Sequence, residues 1–219
     1  MTVVEPRLTL ERRLLRERPV VIALDEVGRG ALAGPVAVGA AVIDERGARR
    51  RIPKGLRDSK LVPEAKRPDV AARAAQWVSV SSVGWASAQE IDEIGIMRAL
   101  GMAAIRAIAE LRAHAVVPEE AIIVLDGNYD YVTAAGAVGL TVRPVIKADR
   151  DCASVSAASV IAKVTRDTLM TTLHEEAPAY QWCRNKGYAS PEHREAIRAY
   201  GLSAHHRASW SIADAPTLF

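Results

Sequence analysis

The sequence predicts an α/β fold, a mixed sheet flanked by helices with a helical C-terminal portion. Three features carry that expectation. Two β-branched runs lie close together near the start, strand-like runs then alternate with helical ones, and helical spacing dominates beyond residue 150. Residues 1–18 mix apolar and charged positions at helical spacing (Leu8, Leu14, Leu15) and read as an arm or short leading helix.

Val20 to Leu24 is a β-branched run of buried-strand composition that ends in Asp25-Glu26-Val27-Gly28-Arg29-Gly30. Val36 to Ile43 is a second, predicted to return beside the first as a hairpin-like pair. Charge, Pro53 and Gly55 mark 44–62 as a loop. Pro63 to Gln76 reads as a helix and Trp77 to Trp85 as a strand. Ser87 with Glu90 forms a capping box that opens one long helix to about Ala113. Ala121 to Leu125 is a strand leading into Asp126-Gly127-Asn128, and Thr141 to Ile146 another leading into Lys147-Ala148-Asp149. A helix of small residues follows from Ala153 to Leu173, and Ser190-Pro191 caps a shorter one. One domain over 19–210 is expected between the arm and a tail at 211–219.

At 219 residues the chain is long enough to bury a full core. A hydrophobic share of 49 % and a charged share of 25 % belong to an ordinary globular protein. No apolar run approaches the roughly 20 residues of a membrane span. No secretory signal pattern is present, because charges at Glu5, Arg7, Glu11, Arg12 and Arg13 interrupt any apolar stretch. Cys152 and Cys183 match no paired motif and read as free thiols of a reducing cytoplasm. The net charge of +3 is too small to identify a partner.

The chemistry sits at strand ends. Asp25-Glu26, Asp126 and Asp149 each follow a strand-like run, and such ends converge at one edge of a sheet. Gathered carboxylates repel one another unless a cation lies among them, and hard oxygen donors suit Mg²⁺ or Mn²⁺. Turn formation alone also accounts for any one of these acids. Asp25 and Glu26 are strand neighbours that point to opposite faces, so both reach one centre only if the strand ends or bulges, as Gly28 permits. The glycine turn is not a dinucleotide loop, since Pro35 and a β-branched run follow it instead of a helix.

These blocks together resemble the type 2 ribonucleases H, the ribonuclease HII family. The likeness runs from Asp25–Gly30 with Gly34-Pro35-Val36 through Leu56–Lys60, Ser87–Asp92, Asp126–Asn128 and Lys147–Asp149. It continues through Ser154–Asp167, Lys186-Gly187-Tyr188, and Gly201-Leu202-Ser203 with His206-Arg207. The resemblance implies an RNase H-like fold and a metal set of Asp25, Glu26, Asp126 and Asp149 holding two Mg²⁺ or Mn²⁺ ions. It also implies that Gly28, Arg29 and Gly30 read the 2′-hydroxyl at an RNA–DNA junction, with Tyr188 stacked on the next sugar. Cleavage 5′ of ribonucleotides in RNA/DNA hybrids and in duplex DNA follows from it, as does a place in ribonucleotide excision repair and primer removal. A type 3 ribonuclease H or a noncatalytic hybrid-binding module are the alternatives.

This chain departs from the family pattern at Ala189-Ser190, where Pro-Thr is common, and in an apparently longer stretch around Tyr129 to Gly139. Lys60 and Lys163 are substrate-binding candidates through phosphate contact, with ordinary solvated cations as the alternative. Arg166 shares the phosphate expectation with Lys163. His205-His206 reads as structural rather than metal-binding, and the four tryptophans as core or rim. The C-terminal Ala215-Pro216-Thr217-Leu218-Phe219 faintly resembles a sliding-clamp-binding peptide, with a frayed tail that folds back on the domain as the favoured alternative. A monomer is expected.

Overall fold

The computed structural model describes residues 5–210. A leading helix, α1 (Thr9–Leu14), precedes strand β1 (Val20–Val27). The second apolar run forms β2 (Val36–Asp44), antiparallel to β1 with Val20 opposite Asp44 and Val27 opposite Ala37. The expected loop at 44–62 instead opens with a helical turn, α2 (Glu45–Arg49), because the Asp44 carboxylate accepts the Gly47 N–H at 2.7 Å as an N-cap. Helix α3 (Arg67–Trp77) keeps Trp77, so β3 (Val80–Ala86) begins later than its sequence implied.

The long helix expected after Ser87 is two helices. The capping box opens α4 (Ala88–Ile94), which stops at Gly95, and α5 (Ile96–Leu111) continues beyond. Gly95 has φ +78° and ψ 155°, a break that a lone glycine inside an apolar pattern does not announce. Strand β4 (Ala121–Asp126) is followed by the short α6 (Tyr131–Ala134) within the 129–139 stretch, then by β5 (Thr141–Val145). The turn α7 (Ala148–Asp151) leads into α8 (Ala153–Glu176), then α9 (Trp182–Asn185) and α10 (Pro191–Tyr200).

The sheet order is β3-β2-β1-β4-β5, antiparallel across the first three strands and parallel across the last three. Alternate β1 residues serve opposite layers. Val21 and Ala23 pack with Val155, Ala158 and Ile161 of α8, while Ile22 and Leu24 pack with Leu100, Ala103 and Ala107 of α5. Each such aliphatic side chain buried stabilises the fold by roughly 1.5–3 kcal/mol. Every residue from Ala153 to Ala162 is buried, the close-packing surface that their small side chains predict. A third cluster joins Leu32 and Ala33 to Met170, Tyr180, Trp182 and Ile197, tying the C-terminal helices to the loop after β1. Among the described residues no helix is long and apolar enough to cross a membrane.

Candidate active site

The pairing of β1 with β4 stops at Leu24 and Leu125, while its ladder to β2 runs on unbulged to Val27. Asp25 and Glu26 on β1 and Asp126, the last residue of β4, therefore flank the point where two parallel strands cease to pair. Of the two alternatives, an end or a bulge, the strand takes the first: β1 ends at Val27, just before Gly28, and is open toward β4 from Asp25 onward. Asp25 lies on the α8 face, only 8 % exposed, beside Ser159, whose hydroxyl donates to Ser59 Oγ at 3.0 Å. Glu26 leaves from the opposite face, 3.8 Å from the Arg29 guanidinium. Asp149 is not at a strand end but in α7, after Lys147 in the left-handed region. Its N–H donates to Asp126 Oδ1 at 3.1 Å, which joins the two acids.

Electrostatics register the crowding. Burial raises the Asp25 carboxyl well above its ordinary range, and Glu26, Asp126 and Asp149 push it further, opposed by Ser159. Burial also raises Glu26, opposed by Arg29, and raises Asp149, with Asp126 and Asp58 adding to the effect. Lys60 answers from the other side, its Nζ 4.0 Å from Asp149 Oδ2. Partial burial draws the Lys60 pKa down, but Asp58, Asp25, Asp149 and Glu26 outweigh it and leave it raised.

Asp25, Glu26, Gly28, Arg29, Gly30, Lys60, Lys163 and Tyr188 line one cleft of about 500 Å³, together with Val27, Ser59 and Arg67. Asp126 and Asp149 are outside that lining and connect to it through Asp25, Glu26 and Lys60. Gly28 has φ +84°, and a Cβ there would fall 2.1 Å from Arg166 Nε, so no other residue fits. At Gly30 a Cβ would meet nothing within 4 Å, which leaves that backbone open to the cleft. Tyr188 is 36 % exposed, and its ring lies 5.7 Å from Lys163 Nζ and 5.6 Å from Arg166 Cζ. Lys163 is held by Asp167 at 2.7 Å. Ser190 caps α10 by accepting the His193 N–H at 3.2 Å, so the departure after Tyr188 preserves a helix cap.

Arg166 does not face a phosphate. It is fully buried and donates to the carbonyls of Pro35 (2.9 Å), Lys186 (2.9 Å) and Ala33 (3.2 Å). Arg207, also fully buried, donates to Gly28 (2.7 Å), Arg29 (2.9 Å) and Gly34 (3.1 Å). Two cations with no carboxylate partner among the described residues thus hold the glycine turn from behind, a role that reading the sequence missed. One signal was available: Ser156, Ser159, Lys163, Arg166 and Met170 recur at three- and four-residue steps, one face of α8. That face meets Asp149, Asp25, the cleft and the loop in turn.

His206 is buried and packs with Tyr180, Trp182 and His193, as a structural histidine should. Its Nδ1 accepts from Ser203 N–H at 2.9 Å, which leaves Nε2 to donate across 3.1 Å to His193 Nε2. His193 then donates from Nδ1 to the Tyr188 carbonyl at 2.8 Å. Trp77 and Trp182 are core residues.

A profile of the ribonuclease HII family matches residues 22–213. The chain belongs to the ribonuclease HII family. Ribonuclease HII of Streptomyces griseus subsp. griseus is 44 % identical over 215 residues, covering 96 % of this chain and 86 % of its own length. Among solved structures, ribonuclease H2 from Pyrococcus horikoshii OT3 superposes with a TM-score of 0.66 at 28 % identity, over 89 % of this chain and 95 % of that one. Bst-RNase HIII in complex with Mn²⁺ gives 0.71 at 21 % identity, over 88 % and 67 %, and shares the fold. Ribonuclease HII membership makes the chain an RNase H endonuclease, of a family that depends on divalent metal and acts on RNA/DNA hybrids.

Among the described residues no three His, Cys, Asp or Glu side chains form a ready-made ion-holding group. The donor chemistry nevertheless fits a hard divalent ion. Three carboxyls flank one strand gap and Asp149 joins them from α7; three of the four have raised pKa values, and the cations within 4 Å, Arg29 and Lys60, are both mostly exposed.

Proposed function

We propose that this protein hydrolyses the phosphodiester 5′ of a ribonucleotide, in RNA/DNA hybrids and at single ribonucleotides in duplex DNA, leaving a 3′-hydroxyl and a 5′-phosphate. The observation that carries the reading is the shared cleft, in which a glycine turn and an exposed tyrosine edge lie beside two of four clustered acids. In this reading Asp25, Glu26, Asp126 and Asp149 hold two Mg²⁺ or Mn²⁺ ions. Bound there, the ions supply an activated water and neutralise charge on the departing oxygen.

The chain's own groups do the rest. Gly30 offers open backbone to a ribose, and the 2′-hydroxyl is the group that separates RNA from DNA. Arg166 and Arg207 fix that turn so that its polar groups are aimed before substrate arrives. Tyr188 stacks on the sugar beyond the junction, while Lys60 and Lys163 bind phosphate oxygens. The same reading has the chain act as a cytoplasmic monomer in ribonucleotide excision repair and primer removal. The sliding-clamp contact falls on the tail, outside the described residues.

The test is an end-labelled DNA duplex with one ribonucleotide, incubated with Mg²⁺ or Mn²⁺. A single cut 5′ of the ribose is expected, lost with chelator and lost when that residue is deoxy. Cutting confined to long hybrids would overturn the junction reading, and no cutting with either metal would overturn the activity.

A further inference from the structure

A second groove, of about 640 Å³, lies between the N-terminal segment and the stretch that leads from α2 toward Lys60. Arg7, Arg12, Arg49, Arg50, Arg51 and Lys54 line it, against the single acid Glu5. Six cations and one anion share this hollow in a chain whose net charge is only +3, so the groove carries a local excess of positive charge.

The cations differ in how they are held. Arg12 donates to the Ala48 carbonyl at 3.2 and 3.0 Å, and Arg50 to the carbonyls of Trp77 and Gln76 at 2.8 and 3.2 Å. Neutral carbonyls orient these guanidinium groups without cancelling their charge. Arg49 pairs with Glu45. The side chains of Arg7, Arg51 and Lys54 are exposed and have no hydrogen-bond or ion-pair partner among the described residues. Crowded like charges repel, and a polyanion relieves that repulsion while releasing its own counterions.

Both walls of the groove lead to the acids. On one side Arg7 N–H donates to Asp151 O at 3.0 Å and Ala153 N–H to Arg7 O at 3.0 Å, which fixes Arg7 beside the turn that carries Asp149. On the other side the lining ends at Leu56, four residues before Lys60, whose ammonium is 4.0 Å from Asp149. Four residues span at most about 14 Å, roughly four base pairs at 3.4 Å each.

We infer that this groove holds the phosphate backbone of the substrate duplex on one flank of the cut, its near end within about four base pairs of Lys60. The inference rests on the proposed reading of the acids as the cutting centre. It adds a docking surface that sets how much duplex the enzyme engages, separate from the groups that recognise the ribose.

The test uses the full chain and the triple variant Arg7→Gln/Arg51→Gln/Lys54→Gln. Substrates are duplexes with one ribonucleotide whose flanks are lengthened on one side at a time, from about 3 to about 15 base pairs. For wild type, KM should fall when one particular flank is lengthened, and the variant should lose that gain, with KM on that substrate about tenfold higher. The variant's kcat and its KM on short flanks should match wild type. The slope of log(1/KM) against log salt should drop by about two to three, near 0.9 for each phosphate no longer neutralised. Equal KM values and equal salt slopes on every substrate would overturn the inference. Fluorescence anisotropy with the same duplexes keeps the two ideas apart. A wild-type protein that cuts nothing but still binds the longer flank more tightly than the variant refutes the activity and retains the groove.

Discussion

Asp25 is 8 % exposed, its pKa is raised by burial, and Glu26, Asp126 and Asp149 raise it further. Its folded-state pKa lies above the unfolded one, so the folded protein binds the extra proton. The stability this acid contributes is fully present below the unfolded pKa and is lost as pH rises through the folded one, so at higher pH the site opposes folding. Asp25→Asn in chelator should therefore raise Tm, by about 2–4 °C for each kcal/mol relieved, while abolishing cleavage. Mg²⁺ or Mn²⁺ should raise the Tm of wild type and leave that of the variant nearly unmoved; equal metal response would refute the placement of the ions. Asp126→Asn should lose nearly all cleavage and keep duplex binding, read by turnover beside anisotropy. Tyr188→Ala should slow cutting at single ribonucleotides. These acids were legible in the sequence because each follows an apolar run and resembles a family block. Arg166 was not, because its burial depends on the loop that folds over it.

At the scale of elements, the strands were readable from β-branched runs, and their misplacements are local. Trp77 looks like strand composition yet closes α3, since its burial is decided by the helix face it extends. The unpredicted feature is how near the helices sit to the sheet. A Cβ on Gly84 of β3 would fall 2.0 Å from the Ala103 carbonyl oxygen and 2.4 Å from the Ala107 nitrogen of α5. Both are backbone atoms, so relief requires moving the helix. Gly84→Ala should destabilise by roughly 1–3 kcal/mol, measured by urea unfolding, with catalytic constants at low temperature little changed. A neutral result would mean that α5 slides freely on β3. Nothing in the local pattern distinguishes this glycine from one in a turn; only the opposing helix does.

For the whole molecule, two opposed sets of titrations set the response to acid. Burial lowers the His206 pKa to about 4 and also lowers His193. The unfolded chain takes up these protons near pH 6.5 and the folded one only near 4, so stability falls as pH drops through that window, by up to about 3 kcal/mol for His206. The raised acids act in the other direction when no cation is bound. Tm should therefore fall more steeply between pH 7 and 5 with saturating Mg²⁺ than in chelator; parallel profiles would disprove the opposition. The loop from Gly28 to Gly34 carries a different consequence. Its clamp, Arg207, comes 179 residues after Gly28. During synthesis from the N-terminus the four acids emerge well before the residue that steadies the Gly28–Gly34 turn. A ribosome that stops short of Arg207 thus releases a chain that has the four clustered acids but no clamp on the turn beside them. Completion of the chain through Arg207, rather than formation of the sheet, is the step that fixes this turn.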